Sequence, residues 1–78
     1  MNLWKYESKQ VKITYTDGGT LVGYADIYHE ADDNASGIAS LTVAPQGSGN
    51  NALIDVGEDE IANIEVIATN FSELPEAI

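Results

Sequence analysis

Between Val11 and Ile67 the chain divides into five short segments of β character, and an Asp-Gly turn follows the first of them. Segments of this length, separated by Gly, Pro, Asn and Asp, confine a small chain to an all-β architecture, because alternation with a period of two buries one face of each strand. Val11, Ile13 and Tyr15 alternate with Lys12, Thr14 and Thr16 in the first segment. Asp17-Gly18-Gly19 supplies the positive φ angles of a tight hairpin. From Thr20 to Glu30 a second strand carries Leu21, Gly23, Ala25 and Ile27 on one face, and Val22, Tyr24, Asp26 and Tyr28 on the other. The small residues Gly23 and Ala25 permit the strong bend that closes a small barrel.

Glu30 to Gly37 reads as a polar, flexible connection. Ile38, Ser40 and Thr42 alternate with Ala39, Leu41 and Val43 in a third strand, which Pro45 stops by removing a ladder donor. After the loop Gln46 to Asn51, Ala52 to Val56 forms a fourth strand, Gly57 to Glu60 a tight turn, and Ile61 to Ile67 a fifth. Ahead of these, Asn2 caps a short helix that carries Leu3 and Trp4 and covers one end of the barrel. Phe71, Leu74 and Ile78 give the tail apolar surface with which to dock. The division expected is a barrel domain over residues 1–67 and a C-terminal tail over 68–78.

At 78 residues there is room for one domain, and a chain of this size buries only about 60% of its unfolded surface, so its stability is marginal unless it is stapled or oligomerises. Cysteine is absent and His29 is the single histidine, which removes disulfides, thiolate metal sites and a histidine zinc site. No metal or other cofactor is expected. That composition suits a reducing cytoplasm. No apolar run reaches the roughly 20 residues that span a bilayer, and Met-Asn-Leu-Trp-Lys lacks the apolar stretch of a signal peptide. The expectation is a soluble, cytoplasmic protein.

Thirteen acids face three lysines, for a net charge of −10, and Lys5, Lys9 and Lys12 all fall in the first twelve residues. A field of that sign repels phosphate backbones, since non-specific affinity for nucleic acid comes mainly from Lys and Arg displacing counterions. An acidic surface of this kind keeps a small protein in solution. It also offers a docking face for a basic partner.

The stretch Val11-Lys12-Ile13-Thr14-Tyr15-Thr16-Asp17-Gly18-Gly19-Thr20-Leu21-Val22-Gly23-Tyr24-Ala25 resembles the first Sm motif, a strand and an Asp-Gly turn followed by a further glycine between apolar residues. Leu53-Ile54-Asp55-Val56-Gly57, running into Ile61-Ala62-Asn63-Ile64-Glu65-Val66-Ile67, resembles the second. With the N-terminal helix, the pattern over residues 2–67 is similar to the Sm-like fold of Sm, LSm and Hfq proteins, in a form of prokaryotic or phage type. The resemblance implies a mainly β, five-stranded, strongly bent SH3-like barrel with a short N-terminal helix. It further implies self-association into a ring, the fourth strand of one subunit pairing with the fifth of the next, which places Leu53, Ile54, Val56, Ile64 and Val66 at the interface. In such a ring RNA would be met around the pore by Tyr28, His29 and Asn34.

The chain departs from that family where its RNA chemistry resides. Val56 occupies the position of the usual basic residue before the second motif's glycine, and His29 that of the usual Asp in the first. Stacking on Tyr28 or His29 is worth roughly 1–3 kcal/mol per base, to be set against long-range repulsion.

Other constellations carry no chemistry. Glu30, Asp32, Asp33 and Asn34 lack the spacing of an EF-hand loop, and Glu58-Asp59-Glu60 reads as a charged turn. His29 has no Ser or Cys nucleophile set beside it by a motif, and Gly47-Ser48-Gly49 is too short for a phosphate loop. Trp4, Tyr6 and Tyr15 read as core and end plug. The sequence points to a non-enzymatic, homo-oligomeric binding or scaffolding module, with RNA binding, or occupation of a basic nucleic-acid-handling protein as an acidic decoy, as the alternatives.

Overall fold

The computed structural model describes residues 2–47 and 52–68. They form one antiparallel sheet of five strands, β1 (Lys9–Tyr15), β2 (Thr20–His29), β3 (Ser40–Pro45), β4 (Ile54–Gly57) and β5 (Ile61–Ala68), in the order β4-β3-β2-β1-β5. The expected count and sequence of strands stand. The expected closed barrel does not: β4 and β5 lie at opposite ends of the strand order and do not pair with each other, so the sheet keeps two edges. β4 is only four residues long and is held through four facing pairs, Ser40–Gly57, Leu41–Val56, Thr42–Asp55 and Val43–Ile54. The tail residues Phe71, Leu74 and Ile78 and the loop residues 48–51 lie outside the described residues.

The core collects on one face. Val11, Ile13, Ala25, Leu41, Val43 and Val56 are fully enclosed, with Leu3, Ala39, Ile61 and Ile64 nearly so, and Tyr6, Tyr15, Leu21, Tyr28 and Ala31 pack around them. Burying a side chain such as Leu41 or Ile13 contributes about 1.5–3 kcal/mol, so these few positions dominate the stability of the sheet.

Gly23 faces Val11 on one side and Pro45 on the other. A Cβ there would meet the carbonyl oxygen of Ala44 and lie 2.9 Å from both Pro45 Cα and Val43 Cγ1. Only glycine allows β3 to cross β2 this closely, which gives the bend expected of Gly23 its physical cause. Pro45 is the final residue of β3, as its missing donor requires.

In two places the local arrangement differs from the sequence reading. The N-terminal segment is a single 3-10 turn, Leu3–Tyr6, not an α-helix. Asn2 makes no side-chain capping bond, Lys5 N–H to Asn2 O and Glu7 N–H to Trp4 O bracket the turn, and Ser8 then adopts φ 68° to enter β1. In β2 an extra residue, Asp26, sits between the pairs Ala25–Val43 and Ile27–Thr42. This bulge reverses the alternation, so that Ile27 leaves the face of Ala25 and is 45% exposed, while Tyr28 turns toward the core.

Candidate functional site

Both edges of the sheet expose apolar side chains. On β4 and just before it, Ile54 and Leu53 are 40% and 57% exposed; on β5, Val66 and Ile67 are 40% and 50% exposed. Ile54 stands opposite Val43, and Val66 opposite Val11, both buried core positions. Facing residues of an antiparallel pair share a face, so Ile54 and Val66 belong to the core face and are exposed because nothing described extends the sheet past them. Ile54 lies in the cross-strand row Ile54–Val43–Ala25–Lys9, and Val66 in the next row on that face, which runs through Val11 and Gly23, so the two apolar edges stand at neighbouring levels near the middle of the ladder.

Of the five residues expected at an interface, Leu53, Ile54 and Val66 are exposed at these edges, whereas Val56 and Ile64 are buried in the chain's own core. Ile67 belongs with the exposed group. It is the extra residue between the pairs Gln10–Ala68 and Val11–Val66, and Ala62 is the extra residue between Thr14–Asn63 and Tyr15–Ile61. The regular stretch of β5 is therefore Asn63 to Val66. Two-residue alternation predicts neither bulge.

Tyr28, His29 and Asn34 do not share a surface. Tyr28 packs against the core and its backbone N–H donates to Glu7 Oε2 at 2.9 Å. His29 lies on the outer face, with Nε2 2.9 Å from Thr42 Oγ1. The Asn34 amide nitrogen donates to Ile38 O at 2.6 Å and to Ser40 Oγ at 3.2 Å. These bonds tie the connection after β2, read from the sequence as flexible, onto the start of β3. Ser40 faces His29 in the ladder, so Asn34 and His29 flank one buried hydroxyl, while Tyr28 faces the opposite way.

Acidic groups gather where β1 and β4 finish. One cleft of about 420 Å3 is bordered by Asn34, Ser36, Ser40, Asp55, Asp59 and Glu60. A second, of about 330 Å3, is bordered by Tyr15, Thr16, Asp17 and Glu60. Glu60 is common to both, and its Oε1 accepts from Gly57 N–H at 3.4 Å. Burial, and then the carboxylates of Glu60 and Asp17, push the Tyr15 hydroxyl above the ordinary tyrosine value. Lys5 and Lys9 lie at the other end of β1, and the Lys5 ammonium stands 5.6 Å from the centre of the Tyr6 ring.

Among the described residues there is no group of three or more His, Cys, Asp or Glu side chains arranged to hold a metal ion, and no helix long and apolar enough to cross a membrane. Comparison of the chain with protein-family models, with curated proteins and with solved structures returned no match in any of the three.

Proposed function

We propose that the chain is a non-catalytic binding or scaffolding module of Sm-like type that assembles with copies of itself through the edges β4 and β5. The observation that carries this reading is the exposure of Ile54 and Val66, both on the core face, at the two opposite edges of the sheet. Unpaired edge N–H and C=O groups flanked by apolar side chains are a template for another strand, and a small open sheet with so few enclosed residues gains stability from a neighbour. Joining β4 of one copy to β5 of the next is a heterologous contact, which generates a ring when the rotation closes.

Mixing two edge variants tests the pairing. Ile54→Asp blocks one edge and Val66→Lys the other, so each alone is a monomer by light scattering. Together they recover a one-to-one complex through the remaining unaltered β4 and β5 edges. Recovery in neither mixture nor parent would refute the pairing, and a Val66→Lys chain that still assembles alone would refute the role of β5.

The two carboxylate-bordered clefts that meet at Glu60 favour a second reading, in which a basic protein docks at the acidic end as it would on a nucleic acid. Binding of an Arg/Lys-rich peptide that weakens steeply with salt and is lost in Glu60→Gln together with Asp59→Asn supports it. Equal binding by that double variant argues against it.

A further inference from the structure

The hydroxyl of Thr42 has one proton and two acceptors within reach of it. Its Oγ1 lies 2.9 Å from His29 Nε2 and 3.4 Å from Asp55 Oδ1. The three side chains form a row across the outer face, from β2 through β3 to the edge strand β4. When Nε2 of a neutral imidazole bears no proton, it takes the hydroxyl proton over the shorter contact, and Asp55 goes without a donor. When the imidazole is fully protonated Nε2 becomes a donor, the hydroxyl oxygen accepts from it, and the hydroxyl proton turns to the Asp55 carboxylate. The neutral tautomer with its proton on Nε2 makes the same chain without the charge, and charge-assisted bonds are roughly twice as strong as neutral ones.

We infer that His29, Thr42 and Asp55 form a proton-controlled latch, which fastens the edge strand β4 to the sheet more tightly when the imidazole is charged. β4 is where such a link counts most. It has four residues, Gly57 offers no side chain, Ile54 is 40% exposed, and Asp55 is its single charged group. β3 contributes no ionisable side chain to the row. The other charged groups nearby are carboxylates: Glu7, which accepts from the Tyr28 N–H, Asp26 and Glu30 on either side of His29 along the chain, and Asp32 and Asp33 in the turn that follows. His29 is the single histidine, and histidine is the side chain that ordinarily changes charge between about pH 5 and 8. The latch deepens the assembly reading, on which it rests only for its consequence: acid conditions would firm the edge that receives the next copy.

Amide hydrogen exchange of the full chain tests it at about pH 5.5 and about pH 8. β1 and β2 amides serve as the internal reference for base-catalysed exchange. Protection of the β4 amides, relative to that reference, rises about fivefold at the lower pH. Thr42→Val removes the difference, and Thr42→Ser retains it. An unchanged response in Thr42→Val, or none in the parent chain, overturns the latch. Should Thr42→Val fail to fold, His29→Gln replaces it with the same expected loss. Repeating the measurement in a Val66→Asp background keeps the two ideas apart, because the latch acts within one chain and survives there even when assembly does not.

Discussion

Ile54 on β4 and Val66 on β5 project from opposite edges of one sheet toward the same face, and each is 40% exposed. Full burial of such a side chain is worth about 1.5–3 kcal/mol, so covering the exposed part of each gives about 1 kcal/mol. An Asp at Val66 is therefore expected to abolish the proposed assembly while leaving the isolated fold nearly as stable, and the same is expected at Ile54. Light scattering paired with a thermal melt reads both effects. Assembly that persists in Val66→Asp contradicts the role given to that edge.

Gly23 admits no side chain. Gly23→Ala drives a methyl group into the Ala44 carbonyl and against Pro45 Cα and Val43 Cγ1, two of them rigid backbone groups. Overpacking of this kind costs about 1–3 kcal/mol. Denaturant unfolding is expected to show a loss toward the upper end of that range, and an unchanged midpoint would mean that β2 and β3 are not this close.

Ser8 holds φ 68° at the entry to β1, and its N–H donates to Ala25 O at 2.6 Å. A left-handed conformation costs a residue with a Cβ about 1–2 kcal/mol, against which glycine's added freedom in the unfolded chain is a smaller term. Ser8→Gly is expected to stabilise the protein by about 0.5–1 kcal/mol, read as a higher Tm. A lower Tm would show that the hydroxyl, not the backbone, is what this turn requires.

Tyr15 has its ionisation pushed upward by burial, then by Glu60 and Asp17. The folded state thus holds the phenolic proton more firmly than the unfolded chain does. Its contribution is fully present below the unfolded value of about 10 and is lost as pH rises through the higher folded value. Stability is expected to fall with pH above about 10 less steeply in Tyr15→Phe than in the parent. Identical alkaline slopes would remove Tyr15 as the cause.

Much of the fold was legible because its signals are local. Val11, Ile13 and Tyr15 declare β1, Asp17-Gly18-Gly19 its turn, and Pro45 the end of β3. The bulges at Asp26, Ala62 and Ile67 were not legible, because an extra residue opposite a partner strand is set by tertiary pairing, and it moved Ile27 outward and Tyr28 inward. The N-terminal segment read as a helix from Leu3, Trp4 and a possible Asn2 cap, but without a capping bond it stops after one 3-10 turn. The small residues Gly23 and Ala25 signal a bend in β2, whereas closure of a barrel depends on whether β4 and β5 meet. At the candidate site, the exposure of Ile54 and Val66 follows from their place on edge strands, and that of Leu53 from its place just ahead of β4. The row from His29 to Asp55 joins residues far apart in sequence and is visible only once β2, β3 and β4 are aligned.

The solution mass of the parent chain, by size exclusion with light scattering at low and moderate salt, tests the central claim most directly. The account predicts a discrete multiple of the 8.3 kDa chain, better populated at moderate salt because each copy carries a net charge of −10 and screening relieves the repulsion between copies. A monomer at both salt concentrations, across the accessible range of protein concentration, would contradict it.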